Sequence, residues 1–263
     1  MIDQEFISRG LSTTNLVPKI VAYETLDSTN EEAKRCISSG ECENLLIIAE
    51  SQTKGRGRYD RQWISPEGGL YFSLVLRPHF GLESAPLYNM LCACAVTTAI
   101  QSFGINAHVK WPNDILIFED KVAGILSELL TEDPEDILLV LGVGVNLNTT
   151  RTDFPENLRD HLTTLADHLN KQIPREELLV KIIKSIDQWL TAIDVEKSFS
   201  SVLKDWKKKS ATLGNKVRII DGAKSVIGIA RDILDDGSLV LSVEGEADDI
   251  IFRAGDVTHL RQD

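Results

Sequence analysis

The stretch "ILLVLGVGVNLN", residues 137–148, is an apolar run of the length that crosses a sheet once. It contains two glycines, Gly142 and Gly144. A glycine inside a strand often marks a place where another group approaches the backbone closely. The stretch therefore predicts a buried strand against which something else packs.

Segments on either side of this stretch predict a sheet covered by helices. The further predicted strands are "LLIIAE" (45–50), "GLYFSLVLRP" (69–78), the short "AHVK" (107–110) before Pro112, and two in "ILIFEDKVAGILSELL" (115–130) joined by a turn at Glu119 to Lys121. A helix is predicted from near Ser28, where Ser28 and Glu31 have the spacing of a capping box. A core helix is predicted over residues 85–104 with Gly104 at its C-terminal cap, and another from Pro174 to about Ile193.

The residue pattern changes after a lysine-rich segment at residues 204–214. Short alternating strands follow, separated by turn residues such as Asp235, Asp236 and Gly237. Strands of this length and spacing are typical of a small barrel. We therefore expect two domains, residues 1–209 and residues 210–263. The second is so small that we expect contacts with the first to contribute to its stability.

Composition restricts the function. The chain has 263 residues, 43% of them hydrophobic, and a formal charge of −12 from 28 basic and 40 acidic side chains. Such a charge repels a nucleic-acid backbone, so a genome-binding role is disfavoured. We find no signal-peptide pattern and no apolar run of membrane-spanning length, and we expect a cytoplasmic protein with no membrane partner. The four cysteines, Cys36, Cys42, Cys92 and Cys94, lack metal-site spacing and are expected to be free thiols.

The segment "TKGRGRYDRQW", residues 53–63, sets four cations among two glycines in this acidic chain. Glycine lets the backbone approach a ligand, and arginine offers planar paired donors to an anion or a urea-like carbonyl. The segment is not a Walker A motif, and "GVGVNL" lacks the third glycine of a dinucleotide fingerprint. An anion-binding loop is predicted, and the alternative is a surface loop with solvated charges.

Five motifs taken together carry a resemblance. "DSTN", "AESQTKGRGRYDRQW", "VKWPNDI", "KVAGILSE" and "LGVGVNLN" occur in this order, and from about Tyr23 to its C-terminus the chain resembles the biotin protein ligases. The resemblance implies an α+β fold, with a mixed-sheet catalytic domain of the class II aminoacyl-tRNA synthetase/biotin ligase type, helices on the sheet and a C-terminal SH3-like barrel. It also implies a homodimer for some members.

The reaction implied by the resemblance has two steps. Biotin and ATP, with Mg²⁺, give biotinyl-5′-AMP and pyrophosphate. The biotinyl group then passes to one lysine of the biotin carboxyl carrier domain of a biotin-dependent carboxylase.

The motifs also imply which residues form the site. Those implied for biotin are Ser28, Thr29, Asn30, Gln52, Arg56, Gly57, Arg58 and Lys110. Those implied for ATP or the adenylate are Arg56, Arg58, Arg61, Trp63, Asn113, Lys121 and Asn146, with Asp114 as a candidate Mg²⁺ ligand. Lys110 and Arg58 are the implied catalytic residues.

Physical chemistry supports the role of Lys110. Adenylation joins two anions, so a cation has to offset their repulsion and the charge that develops at phosphorus. Biotin's carboxylate is already ionised at neutral pH, so no general base is needed.

Other readings of individual residues stay open at this point. The alternative for Ser28 is a helix cap alone, and Trp63 and Trp111 are either adenine-stacking residues or parts of a pocket wall or core. Asn113 and Asp114 are also ordinary turn residues. Lys121 and Asn146 have equally ordinary readings, as a turn lysine and a strand-end asparagine.

Two features depart from the family pattern. Asp60, preceded by Tyr59, stands where the loop usually has glycine; aspartate tolerates left-handed backbone better than most residues, but its charge puts retention of the intermediate in doubt. Only about twenty residues precede "YETLDSTN", so we expect no winged helix-turn-helix and no repressor function.

Three alternatives come from other functional classes. A lipoate–protein ligase shares the fold and the adenylation step but lacks the "GRGR" loop. A biotin-binding module without catalysis would not need Lys110. A nucleic-acid-binding protein would need a basic face, for which the run Lys207 to Lys209 is the best candidate.

Overall fold

The computed structural model describes residues 2–16, 18–40, 44–133, 136–169 and 171–260. The helices are α1 (Gln4–Leu11), α2 (Thr29–Ser38), α3 (Ala85–Gln101), α4 (Arg175–Glu196) and α5 (Ser200–Lys209). The first seven strands are β1 (Lys19–Leu26), β2 (Leu45–Gln52), β3 (Leu70–Leu76), β4 (Ala107–Lys110), β5 (Asp114–Ile117), β6 (Asp120–Asp133) and β7 (Asp136–Val145). The last five are β8 (Lys216–Asp221), β9 (Lys224–Ile233), β10 (Leu239–Ser242), β11 (Ile250–Phe252) and β12 (Asp256–His259).

Strands β1 to β7 form one mixed sheet in the order β1-β2-β3-β7-β6-β5-β4. Only the β1–β2 pair is parallel, and every other neighbouring pair in this sheet is antiparallel. The strand with the two glycines, β7, is the middle strand of the seven, between β3 and β6. The prediction of a buried strand is therefore confirmed for residues 137–145, at the centre of the sheet, whereas residues 146–148 lie beyond the end of β7.

Helices cover both faces of this sheet. Helices α3 and α4 pack together in the main core, to which β2 contributes Leu46 and Ile48. Helix α2 packs on the opposite face, against a smaller cluster that contains Leu45 and Ile47. Because successive strand residues point to opposite faces, the unbroken apolar run in β2 is what burial on both faces requires.

Strands β8 to β12 form a five-stranded antiparallel sheet in the order β11-β10-β9-β8-β12. The α+β class, with a mixed sheet carrying helices and a smaller C-terminal β unit, is confirmed. The boundary at residue 210 stays a prediction. The segment that leads into the second sheet runs next to the first sheet, where the Ala211 N–H donates to the carbonyl of Val109 in β4.

Several local predictions differ from the structure. Sequence reasoning did not predict α1 or β1. The β5–β6 turn lies at Phe118 and Glu119, one residue earlier than expected, and Phe118 has φ 54°. Helix α2 does begin after Ser28, but the Ser28 side chain makes no capping hydrogen bond. The expected capping box is therefore wrong.

The cysteine prediction is confirmed for the thiols that the structure describes. Cys92 and Cys94 are buried free thiols, and Cys36 Sγ donates to Glu32 Oε1 at 3.9 Å. Burial raises the pKa of Cys92 to about 12 and raises that of Cys94 as well, so both stay protonated and inert at neutral pH. Cys42 lies outside the described residues.

Trp111 joins the two sheets. Its side chain is buried, its Nε1 donates to the carbonyl of Gly237 at 3.0 Å, and its backbone N–H donates to Thr212 Oγ1 at 3.0 Å. This indole is 2% exposed, which favours the core reading of Trp111 over adenine stacking. No described helix combines the length and the apolar composition that a membrane span needs.

A pair of matched substitutions tests the Trp111 contact. Trp111→Phe removes volume and leaves the Gly237 carbonyl without this donor, whereas Trp206→Phe removes similar volume from a buried indole whose Nε1 has no partner among the described residues. Trp111→Phe is expected to lower the free energy of unfolding by about 1–3 kcal/mol more than Trp206→Phe does. Urea denaturation of both variants measures the difference, and equal losses would contradict it.

Candidate active site

A pocket of about 150 Å³ opens at the ends of β2 and β7, beneath loop 53–63. Its wall combines the start of α2, the end of β2, the loop, the starts of β5 and β6, and Asp256 of the C-terminal sheet. The residues that line it are Ser28, Thr29, Asn30, Gln52, Arg56, Gly57, Arg58, Arg61, Gln62, Trp63, Asn113, Asp114, Lys121, Gly124, Ile125, Leu126, Gly142, Val143, Gly144 and Asp256.

This pocket brings together all but two of the residues that the sequence motifs implied. The exceptions are Asn146, which lines an adjoining cavity, and Lys110, which lines neither cavity. Segments far apart in the chain therefore converge as predicted. The role of each residue in binding stays a prediction.

The start of α2 offers a free hydroxyl. Ser28 is 3% exposed and lines the pocket, and among the hydrogen bonds of the described residues none uses its side chain. Its carbonyl accepts from Glu32 N–H, and its own N–H donates to Asp27 Oδ1 at 2.7 Å. The backbone is thus fixed while the hydroxyl remains available to a ligand.

A chain of hydrogen bonds fixes the neighbouring polar side chains. Gln52 Oε1 accepts from the Thr29 N–H at 2.8 Å, and Gln52 Nε2 donates to Ser65 Oγ at 2.8 Å. Asn30 Nδ2 donates to Glu128 Oε2 at 2.7 Å, and Asn30 Oδ1 accepts from Ser73 Oγ at 2.6 Å. The amide of Asn30 is engaged at both ends. Asn30 therefore shapes the pocket, while Gln52 keeps a second N–H for a ligand.

Because the two glycines of β7 have no side chains, side chains from other segments lie directly against the backbone of this strand. A Cβ at position 142 would lie 2.1 Å from Asn30 Oδ1, and one at position 144 would lie 2.3 Å from Trp63 Nε1. Gly144 pairs with Gly124 of β6, and Trp63 also lies against Gly124. The close approach predicted from Gly142 and Gly144 is confirmed.

Loop 53–63 is folded back on itself and strained at its tip. The Gly57 N–H donates to the carbonyl of Arg61 at 2.7 Å, and the Trp63 N–H donates to the carbonyl of Gly55 at 2.9 Å. Tyr59 and Asp60 have φ of 55° and 57°, in the left-handed region. The expectation that Asp60 can take the backbone of a glycine is confirmed.

The loop also contacts the C-terminal sheet. Arg58 donates to the carbonyl of Gly255 at 3.2 Å and lies 3.4 Å from Asn113 Oδ1, and its guanidinium stacks on the Tyr59 ring. Arg61 pairs with Asp256 at the start of β12. The C-terminal sheet thus forms part of the pocket wall, which the sequence alone did not indicate.

Lys110 lies at the end of β4, largely buried. Burial lowers its pKa; the charge of Asp114 opposes this shift and that of Lys121 adds to it. Lys121 Nζ pairs with Asp114 Oδ1 at 2.6 Å and lies over the Trp63 ring. Lys110 and Lys121 therefore share a partly desolvated region beside the pocket.

The fit of Mg²⁺ to these residues is limited. Among the described residues there is no group of three or more His, Cys, Asp or Glu side chains arranged to hold a metal ion. The two carboxylates of the pocket, Asp114 and Asp256, are each paired with a cation. Mg²⁺ is commonly bound through one or two carboxylates plus substrate phosphates, so these residues suit an ion that arrives with a nucleotide.

An adjoining cavity shares Gln62, Trp63 and Lys121 with the first pocket. Its remaining lining residues are Ile64, Asn146, Phe154, Leu158, His161 and Leu162. The Asn146 Nδ2 donates to the carbonyl of Thr163 at 3.1 Å, while the buried Asn146 Oδ1 has no partner among the described residues. An unpartnered acceptor therefore lies buried beside this cavity, close to the first pocket.

Sequence reasoning missed the far wall of this cavity. The segment after β7 carries apolar residues at 154, 158 and 162 in polar surroundings and has neither helical nor strand periodicity. The Asn148 side chain bonds both backbone groups of Ile173, donating to its carbonyl at 2.8 Å and accepting from its N–H at 3.1 Å. Asn148, whose side chain joins the two ends of this segment, was the local feature of the sequence that could have indicated it.

Comparisons with known proteins agree with this geometry. The model of the Biotin/lipoate A/B protein ligase family matches residues 22–146. The bifunctional ligase/repressor BirA of Bacillus subtilis is 31% identical over 242 residues, covering 91% of this chain and 74% of the relative. The biotin--[acetyl-CoA-carboxylase] ligase of Mycobacterium tuberculosis is 30% identical over 249 residues, covering 89% of this chain and 86% of the relative.

Solved structures give the same result. The biotin protein ligase from Aquifex aeolicus in complex with biotin and ATP superposes with a TM-score of 0.79 at 30% identity, covering 93% of this chain and 99% of that one. The fold and pocket thus define a ligase of the biotin and lipoate class. Within that class, the chain belongs to the biotin protein ligase family.

One substitution tests the floor of the pocket. Gly142→Ala would drive a methyl group into Asn30, and overpacking of this kind typically costs about 1–3 kcal/mol of stability. We expect biotin binding, measured by titration calorimetry, to weaken together with stability. In an Asn30→Ala background, which removes the colliding amide, the stability cost of Gly142→Ala should largely vanish. An unchanged cost there would show that the collision is not its cause.

A second pair of substitutions tests the burial of Lys110. A lysine whose pKa is lowered by folding disfavours the folded state while it is charged. This penalty is complete below the folded pKa and is lost as pH rises from the folded pKa to the higher unfolded pKa. Lys110→Met is therefore expected to be at least as stable as the unaltered chain at pH 7, with its advantage shrinking at higher pH. Lys34→Met should instead lose stability, because Lys34 has a raised pKa and two carboxylate partners. Thermal unfolding of both variants across pH measures whether each substitution raises or lowers the stability.

Proposed function

We propose that this chain is a biotin–[acetyl-CoA-carboxylase] ligase, which activates biotin with MgATP and transfers it to a lysine of a biotin carboxyl carrier domain. The observation that carries the proposal is the polarity of the main pocket. Neutral hydrogen-bonding groups gather at the start of α2, and cations gather under loop 53–63. This arrangement fits a substrate that is uncharged at one end and a carboxylate at the other.

The α2 end of the pocket suits the ureido ring of biotin. The Ser28 hydroxyl and the second N–H of Gln52 are available, and a urea offers both an oxygen acceptor and N–H donors. Ile125, Val143 and Trp63 supply apolar surface beside them. These groups recognise a small neutral ring with an aliphatic chain.

The loop end suits the reacting groups. In adenylation, a biotin carboxylate oxygen bonds to the α-phosphorus of ATP while the bond from that phosphorus to the pyrophosphate oxygen breaks. Both reactants are anions, and Arg58, Arg61 and Lys121 line the pocket where they would meet. We assign Lys110 to the same task, because its desolvation strengthens its attraction for phosphate. Asp114 is the residue that would hold an Mg²⁺ ion arriving with the nucleotide, and the ion would supply positive charge to the phosphates.

The adjoining cavity suits the adenosine moiety. The vacant Asn146 Oδ1 can accept a hydrogen bond from an exocyclic amino group such as that of adenine. Trp63 and Lys121 belong to both cavities, so one molecule can extend from the first into the second. A biotinyl adenylate has this order of groups.

In the second step, the neutral amine of the carrier lysine attacks the carbonyl carbon of the mixed anhydride. AMP leaves with the electrons of the carbonyl–oxygen bond, and the nitrogen loses one proton to solvent as the amide forms. Water would attack the same carbon, so a loop that covers the intermediate protects the product yield. We assign this covering role to loop 53–63, including Arg56, Gly57 and Arg58.

We further propose that the protein acts without binding DNA and without a repressor role. The charge of −12 disfavours contact with a polyanion. The candidate basic run at the end of α5 is partly neutralised, since Lys207 pairs with Asp232 and Lys209 pairs with Asp205. A homodimer stays a prediction from the resemblance.

The test of the proposed function is biotin-dependent exchange of labelled pyrophosphate into ATP. We expect exchange with biotin, none with lipoate and none without Mg²⁺. Lys110→Met should lower the exchange rate by about a hundredfold or more, because one electrostatic contact to the transition state is lost. Exchange with neither acid in folded protein would refute adenylation, and undiminished exchange in Lys110→Met would refute the role of Lys110.

A further inference from the structure

Four charged side chains tie loop 53–63 to the body of the catalytic domain. Arg56 of the loop pairs with Glu31 of α2, and its guanidinium lies 3.8 Å from Glu128 Oε1 of β6. Lys34 Nζ bridges the two acids, at 2.9 Å from Glu31 Oε1 and 2.7 Å from Glu128 Oε1. We call Glu31, Lys34, Arg56 and Glu128 the clasp.

The clasp is partly sheltered from water and balanced in charge. The exposed fractions of the Lys34 and Glu128 side chains are 23% and 20%, and those of Arg56 and Glu31 are 39% and 34%. The hydrogen bond from Lys34 lowers the pKa of Glu31, so this carboxylate stays ionised well below neutral pH. Burial acts to lower the pKa of Lys34, but its bonds to Glu128 and Glu31 together raise it.

Glu128 also connects the loop to the biotin end of the pocket. Its Oε1 faces Lys34 and Arg56, while its Oε2 accepts from Asn30 Nδ2 at 2.7 Å. Asn30 in turn lies against Gly142 on the pocket floor. One carboxylate therefore holds both the floor beneath the ligand and the loop above it.

We propose that Glu31 and Glu128 are positioning residues that hold Arg56 and thereby keep loop 53–63 closed over the activated intermediate. Arg56 acts through this ion pairing, and it is one of the residues that line the pocket. The proposal rests on the proposed function, because it assigns the clasp a role in retaining the adenylate. It concerns the rate at which the intermediate escapes rather than the bond-forming step.

The other attachments of the loop lie on its opposite side. Arg58 and Arg61 contact Gly255 and Asp256 of the C-terminal sheet. The clasp and these contacts together hold the loop across the pocket from both edges. Loss of the clasp would free one edge and leave the C-terminal contacts in place, so we expect easier opening without unfolding.

The first test needs no ligand. The loop contains Lys54, Arg56, Arg58 and Arg61, so trypsin cleaves it when it opens. Glu31→Gln and Glu128→Gln should each raise the rate of cleavage within residues 53–63 about three- to tenfold, which is the range for losing a partly exposed ion pair within a network. Mass spectrometry identifies the cleavage site, and added salt should narrow the difference between each variant and the unaltered chain.

Glu32→Gln is the matched control. Glu32 pairs with Arg35 at i, i+3 on the same helix, as Glu31 does with Lys34, but it does not contact the loop. Its cleavage rate should equal that of the unaltered chain. If all three variants were cleaved faster with lower melting temperatures, the effect would be general destabilisation, and the clasp would be rejected.

The second test follows the intermediate. Labelled biotinyl-5′-AMP, formed on the protein from biotin and ATP, is chased with unlabelled substrates to measure its release. Glu31→Gln and Glu128→Gln should release it about three- to tenfold faster, at unchanged melting temperature. Combining Glu31→Gln with Arg56→Gln should add nothing to the effect of Arg56→Gln alone, because Glu31 acts through Arg56.

The outcomes separate the two proposals. If the unaltered chain catalyses biotin-dependent exchange but both Glu variants match it in cleavage and release, the clasp is refuted and the proposed function stands. If the unaltered chain forms no adenylate, the proposed function fails. The cleavage rates then still decide whether Glu31 and Glu128 hold the loop.

Discussion

Asn30 and Trp63 lie against bare backbone on the central strand β7, and the rest of the pocket depends on this contact. Gly142 and Gly144 have no side chains to hold these groups away, and Gly124 extends the same flat floor into β6. The start of α2 can therefore come close to the sheet, and the end of loop 53–63 can lie across it. With larger residues at these positions, the two cavities would not share a wall.

Electrostatics complements this steric arrangement. The chain carries a charge of −12, yet four cations line one end of the pocket. They are Arg56, Arg58 and Arg61 of loop 53–63, and Lys121. Most of these cations already have a carboxylate partner, as in the pairs of Lys121 with Asp114 and of Arg61 with Asp256. A polyphosphate entering the site would compete with these acids for the same cations. The acids thus lower the affinity for any anion that does not bring its own cation.

Sequence reasoning recovered much of this organisation for physical reasons. Buried strands such as β2 carry unbroken apolar runs, and glycine pairs mark close approach, so the centre of the sheet could be predicted. The contacts of Glu128 could not, because an acid on a strand has no local signature of its partners on α2 and the loop. Strand β1 was missed because its residues are only half-buried at the sheet edge, where periodicity is weak. The wall around Phe154 was missed because its order comes from tertiary packing, which no period in the sequence encodes.

The order of the strands has a consequence for synthesis of the chain on the ribosome. Strand β3 is buried along its whole length, and it pairs with β2 on one edge and β7 on the other. Strand β7 is the last of its sheet to leave the ribosome, after α3 and strands β4, β5 and β6 have emerged. Throughout that interval the nascent sheet presents an apolar strand with an open hydrogen-bonding edge, the feature that invites mispairing between chains. Because β7 is both the central strand and the last to emerge, the sheet can close only after residue 145 has been synthesised.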